Sequence, residues 1–225
     1  MKLYLPKNLD FTVSKYSTWL SFELRKDINI PGYSIVPFSL FENNIKKKRL
    51  LFNIYDVKTK HFNGKRLEIV TIVKPLDKIT TKDDKLILFD KNIPKIPSFI
   101  ILDCYTNTMS WDPNNGVTRK NSIIKFQKGD IDIKTFDKKY LRFISKSNYY
   151  QKRQITKDFG INFNERCYFP NTFNYLIGSM NETEVMNQVY LMKTLGLETN
   201  LYSNYISKLE CAFFHPEKMS FEVSI

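Results

Sequence analysis

Histidine, cysteine and glycine are all scarce in this sequence, and each scarcity closes off some chemistry. Only 2 histidines occur in 225 residues, His61 and His215. His61 lies in a turn signal and His215 precedes a proline, so a histidine-based acid–base site has little to draw on. The 3 cysteines, Cys104, Cys167 and Cys211, are odd in number and far apart. No C-x-x-C or Cys/His grouping occurs, so no structural zinc site is expected, and the spacing supports no Cys104–His or Cys167–His couple. The 7 glycines form neither a P-loop nor G-x-G-x-x-G, and G-x-S-x-G and H-E-x-x-H are missing too. No cofactor and no metal are therefore expected. No apolar run approaches membrane-spanning length, and Met1–Pro6 is too short and polar for a leader. No transmembrane segment is expected. Reduced thiols point to a cytoplasmic setting, or to host cytoplasm or virion for a viral chain.

What the chain has in quantity is aromatic and basic residues. There are 18 Phe and 13 Tyr, and 42% of the chain is apolar, enough for a core rich in strands. The length suits one domain, residues 1–225, and neither a repeat nor a linker is visible. The net charge is +12 and the pI about 9.4. Such a charge attracts nucleic acid, anionic membrane or other polyanions. Abundant Lys, Asn, Ile, Phe and Tyr also follow from A+T-rich coding, which fills surfaces with lysine. The most basic spot is Lys46, Lys47, Lys48 and Arg49. It reads as a phosphate-contact patch or as a solvated hairpin loop. No aromatic is interleaved for base stacking, which favours the loop. Lys152 and Arg153 beside Tyr149 and Tyr150 pose the same choice within a polar stretch, 146–159.

The fold class is β-rich (α+β): a mostly antiparallel sheet or barrel with one main helix near residues 181–195. Strands are expected around Trp19–Leu24, Tyr33–Phe41, Leu50–Val57, Arg66–Val73, Ser122–Phe126, Ile131–Thr135 and Tyr140–Ile144, with closing strands at Cys211–Phe214 and Ser220–Val223. In Arg66–Val73, strict alternation puts Leu67, Ile69, Thr71 and Val73 on one face and Arg66, Glu68, Val70 and Ile72 on the other. The helix rests on a capping-box-like Asn181 and Glu184, a stripe of Val185, Val189 and Met192, and Gly196 as C-cap.

The chain is organised around Phe99–Asn121. Phe99–Leu102 reads as a strand buried on both faces, and Asp103 and Cys104 break the run. Trp111-Asp112-Pro113-Asn114-Asn115-Gly116 is a turn, because Pro113 fixes φ and Asn115-Gly116 accepts positive φ. Two readings stand side by side. One is a hairpin corner capped by Asp112 and plugged by Trp111. The other is a ligand rim of Asp103, Trp111, Asp112 and Asn115, joined by Glu68. Glu68 pairs with Arg66 two residues away, either facing solvent or as a pocket carboxylate with a raised pKa.

Gly64-Lys65-Arg66-Leu67-Glu68, a later apolar strand and then Trp111-Asp112-Pro113 resemble the order of signals in acetoacetate-decarboxylase-like proteins. That family shows a G-x-Y-L-E-type strand followed by a G-R-E…G-F-P-K-K segment. The likeness spans residues 50–125, about a third of the chain, by motif order. It implies a cone-like β-barrel around an internal cavity. The family's decarboxylases form a Schiff base on a lysine of the pair after the proline. Asn114 and Asn115 stand there instead, so the resemblance supports the cavity and argues against decarboxylation.

Three functions follow as expectations. The first is a β-barrel domain binding a small organic ligand without Schiff-base activity. The alternative is a viral structural or polyanion-binding protein, whose grip on nucleic acid falls steeply with salt. The third is a thiol enzyme using Cys104 or Cys167. Whether the chain is an enzyme, and whether it forms a homo-oligomer, stays open at this level.

Overall fold

A computed structural model describes residues 8–13, 17–30, 33–41, 45–58, 63–76, 79–80, 86–87, 98–107, 118–119, 122–127, 130–154, 167–168, 175–180, 188–215 and 219–224. Every regular element among them is a strand. In chain order these are β1 (Asn8–Val13), β2 (Ser17–Leu24), β3 (Tyr33–Ile35), β4 (Arg49–Lys58), β5 (Asn63–Pro75), β6 (Ile79–Thr80), β7 (Leu86–Ile87), β8 (Ser98–Thr106), β9 (Thr118–Arg119), β10 (Ile123–Gln127), β11 (Asp130–Lys134), β12 (Tyr140–Gln154), β13 (Cys167–Tyr168), β14 (Tyr175–Met180), β15 (Gln188–Thr199), β16 (Ile206–His215) and β17 (Met219–Ser224).

One large, mostly antiparallel sheet holds all but β6 and β7. Its order runs β10-β11-β12-β15-β16-β2-β4, then through β1, β17, β14 and β13 to β8, β5 and β3, with β4 also paired directly to β5. The short contacts of β13 and β9 with β8 are parallel. The sheet curls into a half-barrel, and its far end returns towards β8, where the Ser122 amide donates to the Thr106 carbonyl at 3.2 Å.

The curl has apolar side chains on both faces, and strand alternation sorts them. Leu20, Phe22, Phe52, Ile54, Leu67, Ile69, Ile133, Phe143 and Phe214 fill the main core. Trp19, Leu51, Val70, Ile72, Val189 and Phe213 form a second core on the other face, under Phe38 and Leu40 of the 36–41 strap. Each fully buried Leu or Phe contributes about 2 kcal/mol. Phe22 and Phe52 meet at 4.8 Å in the main core, and Trp19 and Phe213 stack at 6.2 Å in the second.

The helix expected near 181–195 is not formed. Residues 188–199 are β15, paired with β12 on one side and β16 on the other. The apolar spacing that suggests a helix is that of a strand buried on both faces. Val189 joins the second core and Met192 the main one, three residues apart and on opposite sides. Gly196 sits in the ladder opposite Ile144 and is not a helix cap. Asn181, Glu184 and Val185 lie outside the described residues. Two smaller expectations also change. The polar stretch from Lys146 is strand as far as Gln154. The β8 strand runs on through Asp103 and Cys104 to Thr106, because β5 pairs with it throughout.

Candidate functional site

The β4–β5–β8 register builds a polar patch in the second face. Tyr55 pairs with Arg66, and Arg66 with Thr106; Asn53 pairs with Glu68, and Glu68 with Cys104. Cross-strand partners share a face, so two adjacent rows carry Tyr55, Arg66, Thr106 and Asn53, Glu68, Cys104. Between Ile69↔Asp103 and Val70↔Ile101 the pairing steps by one, making Leu102 a bulge on β8 just before this patch.

Arg66 is the hub. It is 4% exposed, and Cys104 is fully buried. Its Nε donates to Cys104 Sγ at 3.3 Å and its Nη2 donates to the same sulfur at 2.8 Å. Nη2 also lies 3.4 Å from Glu68 Oε1. Tyr55 shares this face with Glu68, one register step away. Burial, and then the Glu68 charge, hold the Tyr55 phenol well above its usual range against the pull of Arg66. Burial draws the Arg66 guanidinium down, but Cys104, Tyr55 and Glu68 outweigh it and hold Arg66 well above its ordinary value. The phenol is therefore neutral and the guanidinium charged. Asn53 is buried, and its Oδ1 has no hydrogen-bond partner among the described residues. An unpaired buried amide oxygen costs about 1–3 kcal/mol, so this acceptor favours any group that brings a donor.

The residues singled out from sequence are divided by this geometry. Glu68 pairs with Arg66 as expected, yet the pair is not surface-facing: the Glu68 side chain is 14% exposed and that of Arg66 5%. Asp103 follows the opposite face and accepts a hydrogen bond from the Tyr202 hydroxyl at 3.1 Å. Glu68 and Asp103 therefore do not meet. Trp111, Asp112 and Asn115 lie outside the described residues. Tyr55 and Asn53 were invisible as site residues, because the pairing of β4 with β5 brings them in; only the even spacing of polar residues in Asn53-Ile54-Tyr55 hinted at it.

The basic tetrad is largely neutralised. Lys46 is exposed. Lys47 Nζ lies 2.7 Å from Glu23 and 3.7 Å from Glu210, and Lys48 Nζ 2.5 Å from Asp27. Arg49 is no part of a solvated loop. It opens β4, is 2% exposed, pairs with Glu210 and donates to the carbonyls of Phe38, Lys47 and Ile45. On the exposed side of β10, β11, β12 and β15, Lys125, Asp132, Arg142 and Glu198 follow one another in register, so cations alternate with carboxylates. Lys152 and Arg153 on β12 are exposed.

The Cys211 thiol is pushed up to about 12, first by burial and then by the Glu210 charge, with Arg49 opposing. Among the described residues no group of three His, Cys, Asp or Glu could hold a metal ion, and no helix is long and apolar enough to cross a membrane. No family model matches the chain, and no curated protein matches it.

Proposed function

We propose that this chain is a half-barrel module that binds a small organic ligand at the Asn53–Glu68–Arg66–Cys104 patch. The observation that carries the reading is the unpaired, buried Asn53 Oδ1 beside the Glu68 carboxylate. Two adjacent acceptors call for a ligand with N–H or O–H donors, such as a primary amine or amide. Arg66 is engaged by Cys104 and Glu68, so an anion gains less here than a neutral or cationic molecule. The resemblance to acetoacetate-decarboxylase-like barrels supports the same kind of function, with Asn114 and Asn115 leaving no Schiff-base lysine. In this reading Asp103 serves the packing of the other face.

The experiment is a thermal-shift panel of primary amines, amides and carboxylates on the wild type, Asn53→Leu and Glu68→Gln. A bound ligand stabilises in proportion to its occupancy. Stabilisation by amines or amides that both variants lose supports the reading. The same stabilisation in all three proteins overturns it.

Polyanion binding is the second reading, favoured by the net charge of +12 and by exposed Lys46, Lys152 and Arg153. It ranks below the first because Lys47, Lys48 and Arg49 already have carboxylate partners. It requires RNA or DNA binding that weakens steeply between 50 and 200 mM salt, by about 0.5 log units per phosphate contact over that range.

A further inference from the structure

We propose that Arg66 holds Cys104 as a thiolate, and that Cys104 is the residue of this chain that small neutral electrophiles modify. The inference concerns the same patch but does not depend on the ligand reading.

The geometry is the first argument. Two N–H groups of one guanidinium converge on a single sulfur, at 3.3 and 2.8 Å. A guanidinium can only donate, so the sulfur accepts both bonds. A thiol is a weak acceptor; a thiolate is a full one, and charge-assisted bonds are the short ones.

Charge balance is the second. Arg66 is buried and permanently charged, so it needs a counter-charge in reach. Glu68 lies 3.4 Å away and makes a single contact with it. The Cys104 sulfur is the nearer partner and makes two contacts. At Cys211, by comparison, burial and then the Glu210 charge outweigh Arg49 and keep the thiol protonated.

The third argument points to what can react. Asn53 Oδ1, buried and unpaired among the described residues, belongs to the same cross-strand row as Cys104. An electrophile carrying an amide N–H can satisfy that oxygen while it approaches the sulfur. With iodoacetamide, Sγ forms a bond to the methylene carbon as the C–I bond breaks. Iodide leaves with the electron pair, and no proton is released, because the sulfur is already ionised. Cys104 is fully buried, so reaction passes through opening of the patch. The absolute rate is then slow, and the pH dependence is the readout.

The test maps carbamidomethylation at each cysteine of the full, native chain by mass spectrometry between pH 6.5 and 8.5. An ordinary thiol speeds up roughly fifty-fold over that span. The expected change at Cys104 is less than about twofold. A climb like that of an ordinary thiol overturns the proposal, as does labelling of Cys211 with none at Cys104. Thiolate absorbance at 240 nm gives an independent reading that needs no access: wild type minus Cys104→Ser is positive at pH 7 and is reduced in Arg66→Lys. Equal absorbance of wild type and Cys104→Ser from pH 6 to 9 overturns the proposal. Should Cys104→Ser not fold, the labelling profile decides on unmodified sequence. Neither readout uses the amine panel, so the two proposals fail separately.

Discussion

Tyr202 donates its hydroxyl to Asp103 Oδ2 at 3.1 Å, tying the turn between β15 and β16 to a strand 99 residues earlier. Tyr202 sits at φ 52°, and its carbonyl accepts from the amides of Tyr205 and Ile206 at 2.8 and 3.1 Å. The turn thus aims the ring at the main core and its hydroxyl at the carboxylate. Tyr202→Phe keeps the ring and removes one donor to a charged acceptor. The site is only half-buried, so the expected loss is about 1 kcal/mol, at the low end for such bonds. Urea unfolding measures it. A loss below about 0.3 kcal/mol would show that solvent replaces the hydroxyl.

Arg49 and Glu210 are the other long-range anchor. Arg49 donates to Glu210 and to three carbonyls, those of Phe38, Ile45 and Lys47, on the segment that covers the second core. Glu210→Gln leaves a buried guanidinium without its charge partner and is expected to cost about 3 kcal/mol. The double variant Arg49→Met/Glu210→Met removes both charges and should regain part of that loss, leaving the strap carbonyls short of donors. Limited proteolysis should then cut within residues 36–47 faster than in the wild type. Equal cleavage would show that Phe38 and Leu40 hold the strap alone.

How much of this was legible in sequence depends on which side of a strand is asked about. Arg66–Val73 announced both faces by strict alternation, and the cores receive them as expected: Leu67 and Ile69 on one side, Val70 and Ile72 on the other. Residues 188–199 misled for the opposite reason. Where both faces are buried, apolar residues at odd and even positions overlay into a helix-like spacing, and only pairing with β12 and β16 tells the two apart. The candidate patch was half legible. Glu68 and Arg66 lie two apart on one strand, but Cys104 and Asn53 come from strands whose register no local pattern specifies. That register also separates Asp103 from Glu68.

The turn between β11 and β12 offers a stabilising change. Lys138 adopts φ 60° there, exposed, in a turn braced by the Thr135 amide donating to the Lys139 carbonyl at 2.9 Å. A left-handed conformation costs an L-residue about 1–2 kcal/mol, and glycine avoids it. Glycine gives back part of that through its larger unfolded-state entropy. Lys138→Gly is therefore expected to stabilise by about 0.5 kcal/mol, raising Tm by roughly 1–2 °C in a chain of this size. A lowered Tm would mean that the lysine side chain contributes more than its backbone costs.

The Glu23–Lys47 pair sets how stability varies with pH. The hydrogen bond from Lys47 lowers the Glu23 carboxyl below its usual value, and the bond to Glu23 raises the Lys47 ammonium above its own. A lowered acid contributes stability above its unfolded pKa, near 4.5, and loses it as pH falls through the folded value. A raised base contributes below its unfolded pKa, near 10.5, and loses it as pH rises through the folded value. The pair therefore supports a plateau between those limits, with a decline on each side. The side chains keep 30% and 27% of their surface in solvent, so the contribution is small and weakens with added salt. Glu23→Gln isolates the acid limb, since Lys47 retains Glu210 at 3.7 Å. Wild type should exceed the variant in urea midpoint at pH 7, and the two should converge as pH falls to 2, where both residues are neutral. A gap that stayed constant over that range would assign the contribution of Glu23 to packing rather than charge.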